Sequence, residues 1–263
     1  MRYKLTDENG QTYGGYEWGP GVSHSASGTG ELCSTGWIHV YDSPWVAVMM
    51  NSYYADFENP RLWECEVSGN ELNDHGLKRG VQKCMTVREI PMPVLTTEQR
   101  VEIAIRCALH GCTDDSFTRW AERWLDGTNR SIDMAWAAWT VMSEKTIGSD
   151  TSAVQAAAEA AWGAAKEAAC CGGVLEAVGD TALSAELEAA WMVMSEKTIG
   201  SDTLAVQAAV EAARETVWTA ASKAVWAAAL NAEIDIAAVI EEVIGDDRNA
   251  QIIEEGNALQ TDR

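Results

Sequence analysis

Hydrophobic positions along the chain follow two periods, and the change from one to the other falls near Leu95. Before that residue, apolar and polar side chains alternate in short runs bounded by glycine and proline, which is typical of β-strands. After it, apolar residues recur every three or four positions, which is typical of amphipathic helices. The pattern predicts an α+β protein with a small β-rich module over residues 1–95 and an all-helical region over 96–263.

The first module contains runs with the composition of strands and a turn-rich glycine segment. The predicted strands are Tyr3–Thr6, Trp37–Tyr41, Arg61–Val67 and about Gly80–Ile90. Between the first two, glycines separate Tyr13, Tyr16 and Trp18, which predicts an aromatic hairpin or loop. Ser43 before Pro44 is a helix start, because a serine oxygen can cap the helix and proline suits its first turn. One short helix is therefore expected among the strands.

Helix signals begin directly after Leu95. Thr96 and Gln99 have capping-box spacing, and the apolar stripe that follows ends near Gly111. That stripe consists of Val101, Ala104, Ile105 and Ala108, and a second stripe consists of Phe117, Trp120, Ala121 and Trp124. Glycine after each stripe predicts the end of each helix.

An internal duplication organises the rest of the chain. The segment Trp139–Ala161 reappears almost unchanged as Trp191–Ala213, which defines two units over about 139–190 and 191–242. In each copy a helix should end at Lys-Thr-Ile-Gly, and Ser-Asp-Thr should begin the next helix. Each unit is predicted to be a helical hairpin, with a last helix at about Ile234–Ile244 and a polar tail after Gly245.

Charge narrows the classes of partner. The formal net charge is -21, and most of the acidity lies after residue 95. So negative a chain is repelled by nucleic-acid phosphates and by anionic membrane surfaces. We expect no nucleic acid and no membrane as partners and a protein partner instead, although mimicry of DNA charge stays open.

Cysteine usage and the ends of the chain indicate a cytoplasmic protein. The cysteines number seven, an odd count that favours reduced thiols. No secretory signal or membrane-length apolar stretch is seen. Cys107, His110 and Cys112 lie close together but lack the spacing of a zinc site, so no metal is expected.

One constellation in the first module could carry chemistry. Alternation places Trp37, His39 and Tyr41 on one strand face, and a second strand carries Glu64 and Glu66 on one face. If the two strands are neighbours, an aromatic floor could stack a planar base while a carboxylate stabilises developing positive charge. The alternative is that His39 is a half-buried structural residue and the glutamates form a solvated strand face.

A glycine-rich loop would complete this site. Residues Gly19–Gly30 are the predicted lid, and His24 within them is a further candidate ligand contact. Any catalytic role would fall to His39, Tyr41, Glu64 or Glu66, and the sequence leaves open whether catalysis occurs at all.

The first half of the chain resembles a family of uncharacterised proteins common in bacteriophage and prophage genomes. The matching motifs are Tyr13-Gly14-Gly15, Trp18-Gly19-Pro20-Gly21-Val22, Leu32-Cys33, Gly36-Trp37-Ile38-His39 and Pro60-Arg61-Leu62-Trp63-Glu64. The resemblance implies a phage-type accessory protein of the bacterial cytosol. We expect a non-enzymatic interaction module that binds or inhibits a host or defence factor without a cofactor, and the helical region could also carry a homo-oligomer contact.

A weaker resemblance is to the core of ADP-ribosyltransferases. It rests on the order of a glycine-aromatic strand, a serine/proline-led helix and a strand that ends in Glu66-Val67-Ser68-Gly69. That resemblance implies NAD or ADP-ribose as the ligand, with Tyr41 or His39 beside the nicotinamide and Glu64 or Glu66 as the catalytic acid. An ADP-ribosyltransferase-like or nucleotide-binding domain on a helical scaffold is therefore the alternative function.

Overall fold

A computed structural model describes residues 1–146, 152–171 and 203–245. Strands come first and helices follow, apart from one helix among the strands, so the chain is a mixed α+β protein as predicted. The strands are β1 (Arg2–Thr6), β2 (Gln11–Thr12), β3 (Tyr16–Glu17), β4 (Ser23–Ser25), β5 (Ile38–Val40), β6 (Arg61–Asp74) and β7 (Lys78–Ile90). The helices are α1 (Pro44–Tyr54), α2 (Thr97–Gly111), α3 (Asp115–Leu125), α4 (Ile132–Thr146), α5 (Ser152–Cys171), α6 (Thr203–Ala229) and α7 (236–245).

The long strand β7 is the centre of the sheet. It pairs antiparallel with β6 along one side and, along the other, with β4 and β5 at successive positions. Strand β6 pairs in turn with β1. An isolated bridge between Tyr3 and Tyr41 links β1 to the residue that follows β5. Strands β1, β6, β7 and β5 therefore form a closed ring of pairings.

A small core lies among these strands. Its buried members are Trp18, Val40, Cys65, Val81 and Cys84. Lys4 is only 5 % exposed, and its Nζ lies 4.4 Å from the centre of the Trp18 ring. The ammonium donates a hydrogen bond of 3.2 Å to the carbonyl oxygen of His39. Burial lowers the pKa of Lys4, because a charged amine loses hydration there.

A second, larger core joins the strands to the helices. It runs from Leu5 and Leu62 in the sheet through α1 to α2, α5, α6 and α7. The predicted stripe of α2 is fully buried in this core, from Val101 to Ala108. At the junction, the Ser222 hydroxyl lies 2.6 Å from the carbonyl oxygen of Met49, to which it can donate. The same apolar core thus continues past residue 95, and the division into two modules at that point stays a prediction.

Several helices begin or end at residues that their local sequence predicts. Ser43 caps α1 through a hydrogen bond from the backbone of Trp45, and Pro44 is its first residue. The Thr96 and Gln99 capping box is present at the start of α2. Gly127 after α3 has a positive φ of 75°, which glycine adopts without steric cost. These predictions are confirmed.

The duplicated region is described in part. In the first copy, α4 ends at Thr146, α5 begins at Ser152, and α4 packs along α5, while the duplicated hairpin unit stays a prediction. In the second copy, α6 begins at Thr203, and residues 172–202 and the tail 246–263 lie outside the described residues. The last helix, predicted at about Ile234–Ile244, is α7. Among the described residues, no helix is long and apolar enough to cross a membrane.

Candidate functional site

The sheet register places Tyr41 and Glu64 on either side of Tyr3. Tyr3 pairs with Glu64 of β6 and also forms the bridge to Tyr41. Directly opposed residues of an antiparallel pair project to the same face. The aromatic strand and the glutamate strand therefore share a face, and the strand β1 lies between them.

The two glutamates of β6 differ in their surroundings, because Glu64 lies in an ion pair and Glu66 lies in solvent. Arg88 donates two hydrogen bonds to the Glu64 carboxylate, from Nε to Oε2 at 2.7 Å and from Nη2 to Oε1 at 2.9 Å. These bonds hold the pKa of Glu64 below its ordinary value, since they favour the charged form. Glu66 is exposed. A carboxylate in this state is suited to structure and solubility more than to proton transfer.

The aromatic strand is fastened to the glycine-rich loop. The indole Nε1 of Trp37 donates to the carbonyl oxygen of Gly30 at 3.0 Å. His39 Nε2 lies 2.7 Å from the carbonyl oxygen of Leu32, and burial lowers the pKa of His39. Tyr41 is buried in the larger core, and that burial raises its pKa. All three side chains have structural partners in this arrangement.

The loop over residues 28–36 packs against the start of β7. Its two ends are joined by a hydrogen bond of 2.9 Å from the Gly28 amide to the Gly36 carbonyl. A Cβ at Gly80 would come within 2.4 Å of Leu32 Cδ1, so only glycine lets the loop lie so close to the strand. Of the predicted lid Gly19–Gly30, only residues 28–30 belong to this loop, whereas Ser23–Ser25 form the strand β4 and are paired with β7.

His24 belongs to a different part of the molecule from His39. It lies in β4 directly opposite Cys84. Its ring packs edge-on against Tyr16 at 5.3 Å and Trp18 at 4.6 Å, and Nε2 lies 2.8 Å from the carbonyl oxygen of Glu17. His24 therefore supports the hairpin formed by β2 and β3.

That hairpin presents two tyrosines to solvent. Tyr13 is 82 % exposed and Tyr16 is 55 % exposed. The turn between the strands contains Gly14 and Gly15, both at positive φ. Beneath it, buried Trp18 donates from Nε1 to the hydroxyl of Thr12 at 3.0 Å. We call the two exposed rings of Tyr13 and Tyr16 the hairpin surface.

A second cluster lies where the loop meets the turn between β6 and β7. The Lys78 ammonium is 3.3 Å from the sulfur of Cys33, and it lies 3.6 Å from the centre of the Tyr54 ring. The Tyr54 hydroxyl donates to Asp74 at 2.8 Å. Burial is the larger cause of the raised pKa of Tyr54, and this hydrogen bond raises that pKa further. We call Cys33, Tyr54, Asp74 and Lys78 the thiol cluster.

The sequence analysis missed the thiol cluster, although part of its signal is local. Asn-Asp-His-Gly between two strand-like runs is a turn sequence, and it pairs Asp74 directly with Lys78. The approach of Cys33 to that turn depends on how the glycine-rich loop folds back, which no local pattern shows.

Comparison with known proteins adds no relative, because no family model, no curated protein and no solved structure matches the chain. Function therefore has to be argued from the geometry of the hairpin surface and of the candidate residues around Tyr3.

Proposed function

We propose that this chain is a non-enzymatic interaction protein that binds a basic protein partner through the hairpin surface. The observation that carries the proposal is the exposure of two tyrosines on a short, internally supported hairpin, at 82 % for Tyr13 and 55 % for Tyr16.

Tyrosine at such a position suits protein recognition. Its ring offers a large contact area with little side-chain entropy to lose, and its hydroxyl can form a hydrogen bond at the interface. Tyr16 is held from below by His24, which is itself anchored to the Glu17 carbonyl. A supported ring loses less freedom when a partner covers it, so more of the contact energy appears as affinity.

Charge favours a basic partner. Exposed Glu8 and Glu17 lie before and after the tyrosines in the sequence, and the whole chain carries a net charge of -21. The negative charge of this chain speeds its encounter with a basic partner, and it repels acidic competitors. We propose a protein of the bacterial cytosol as the partner, a host or defence factor, which is the class that the resemblance to phage proteins implies.

The duplicated unit has a separate role in this proposal. We propose that both copies form helical hairpins, and that the second copy extends the helical region without adding chemistry. Near-identical copies at different places cannot face one site, so they can tune length or avidity. A homo-oligomer contact in this region would act in the same way.

The experiment is photo-crosslinking from the hairpin surface. A crosslinking amino acid at Tyr13 is exposed to bacterial lysate, in the chain with and without Tyr16→Ser. Val94→Ser is the matched control, since Val94 is a similarly exposed apolar residue at 79 %.

We expect a covalent adduct with a basic protein that weakens with salt and that is lost in Tyr16→Ser but kept in Val94→Ser. An adduct that is indifferent to Tyr16 and to salt, or no adduct at all, would overturn the proposal.

A further inference from the structure

We infer that Cys33 is a reactive thiol, a modification site that exchanges with small disulfides, and that Lys78 is the positioning residue that favours its attack. The inference does not rest on the proposed function, because it concerns the thiol cluster and leaves the hairpin surface untouched.

Cys33 differs in its exposure to solvent from the other cysteines whose side chains the structure describes. Cys33 is exposed, whereas Cys65, Cys84, Cys107 and Cys112 are buried. Burial raises the pKa of the Cys107 thiol to about 12, so that thiol is protonated as well as inaccessible. Among these residues, Cys33 is the sulfur that a solute can reach.

Lys78 supplies the second requirement, a positive charge next to the sulfur. Its side chain is only 4 % exposed, although lysine is rarely buried, and its Nζ lies 3.3 Å from Cys33 Sγ. The Tyr54 ring lies 3.6 Å from the ammonium on another side. An ammonium this close to the sulfur attracts the negative charge that the sulfur carries as it attacks, so the geometry favours attack from Cys33.

Asp74 forms a longer ion pair with the same ammonium. Its Oδ2 already accepts the hydrogen bond from Tyr54 at 2.8 Å, and it lies 4.0 Å from Lys78 Nζ. The sulfur is therefore nearer to the ammonium than this carboxylate oxygen is. Tyr54 and Asp74 fix the position of Lys78, while the exposed side of Cys33 stays open to solution.

The chemical step is a thiol–disulfide exchange. The Cys33 thiolate attacks one sulfur of a small disulfide, so a bond forms between the two sulfurs and the original disulfide bond breaks. The second sulfur leaves as a thiolate with the bonding pair and takes a proton from water. Cys33 is oxidised to a mixed disulfide, and the small disulfide supplies the oxidising equivalents.

The test uses glutathione disulfide on the full-length chain, with the modified peptide identified by mass spectrometry. The rate at Cys33 is compared between the folded chain and the same chain in urea. We expect the folded rate to be about ten times higher, because unfolding separates Cys33 from Lys78. Equal or slower modification in the folded chain would overturn the inference.

Variants then assign the effect to Lys78. Lys78→Met should lower the folded rate about tenfold, whereas Lys83→Met, which removes an exposed charge from the same strand, should leave it unchanged. Circular dichroism establishes whether each variant is folded. If Lys78→Met does not fold, Tyr54→Phe replaces it in the test, because that variant keeps the ammonium. Loss of the Tyr54 hydrogen bond frees Asp74 to compete for Lys78, so Tyr54→Phe should also slow the exchange. An unchanged rate in a folded Lys78→Met chain, or in Tyr54→Phe where that variant replaces it, removes the role of Lys78.

Discussion

The strand-rich part and the helical part of this molecule bury different kinds of side chain. Among the strands and their connections, polar groups are buried beside large aromatic rings, as with Lys4 and Trp18 or Lys78 and Tyr54. In α5 and α6, alanine makes up most of the buried positions, and both helices pack closely against α2. The stability of the first part depends on individually placed hydrogen bonds, and the packing of α5 and α6 depends on small side chains at the helix contacts.

Because of this difference, the two cores are destabilised by different kinds of substitution. A core of large rings loses most when a ring is removed, because the cavity stays partly unfilled. A core of alanines loses most when a side chain is enlarged, because close-packed backbones cannot move apart without cost.

The largest effect is expected for Trp63→Ala in the sheet. Trp63 is almost fully buried, and its Nε1 donates to the Thr6 hydroxyl at 3.1 Å. Truncation leaves a cavity and removes the hydrogen bond that the buried Thr6 hydroxyl accepts, and should cost about 3–5 kcal/mol of unfolding free energy in urea titration. Trp63→Phe keeps most of the ring and should cost clearly less. Equal costs for the two variants would contradict the account.

A smaller loss is expected for Ala221→Leu in α6. Ala221 is fully buried in the larger core. The added methylene groups should cost about 2–3 kcal/mol through strain, measured in the same titration. The control is Lys223→Leu, which enlarges no buried position because Lys223 is exposed. If Ala221→Leu is neutral, the helices are not packed as closely as the buried alanines indicate.

Lys4→Met sharpens the comparison in the opposite direction. It removes a buried ammonium from the small core and should raise stability by about 1–2 kcal/mol near neutral pH. Since the folded-state pKa of Lys4 lies below its ordinary 10.5, the unfolded chain binds more protons between the two pKa values. The wild-type chain should gain stability as pH rises toward 10.5.

That gain should be smaller in Lys4→Met, as measured by urea titration between pH 7 and about 9.5. Buried Tyr41 and half-buried Tyr54, whose raised pKa values act in the reverse sense, limit the useful range at the alkaline end. An identical pH slope in the variant would show that Lys4 is not the group responsible.

The smallest effect concerns catalysis. Because Arg88 occupies the Glu64 carboxylate, calorimetry with NAD or ADP-ribose should show no binding heat, and incubation with NAD should release no nicotinamide. Binding or turnover that Glu64→Gln abolishes would instead establish the ADP-ribosyltransferase-like alternative and remove the non-enzymatic proposal.

Sequence by itself determined the features that depend on near neighbours. The capping box at Thr96 and Gln99, the proline start of α1 and the buried stripe of α2 each need only residues within a few positions. The order of strands and helices followed from the same local periods. These features survive any change in how the elements are later arranged.

Tertiary structure alone decided which distant residues meet. Arg88 reaches Glu64 because the register of β6 and β7 places the two residues directly opposite each other. The ring of strands closes through Tyr3 and Tyr41, and Cys33 reaches Lys78 through a glycine-rich loop. Strand register and loop path are set by the total packing of the molecule, because each strand or loop alone is compatible with several of them. Tyr41 and Glu64 share a face through Tyr3, while the candidate site stays a prediction, because alternation within one strand does not show that Arg88 of another strand pairs with the Glu64 carboxylate.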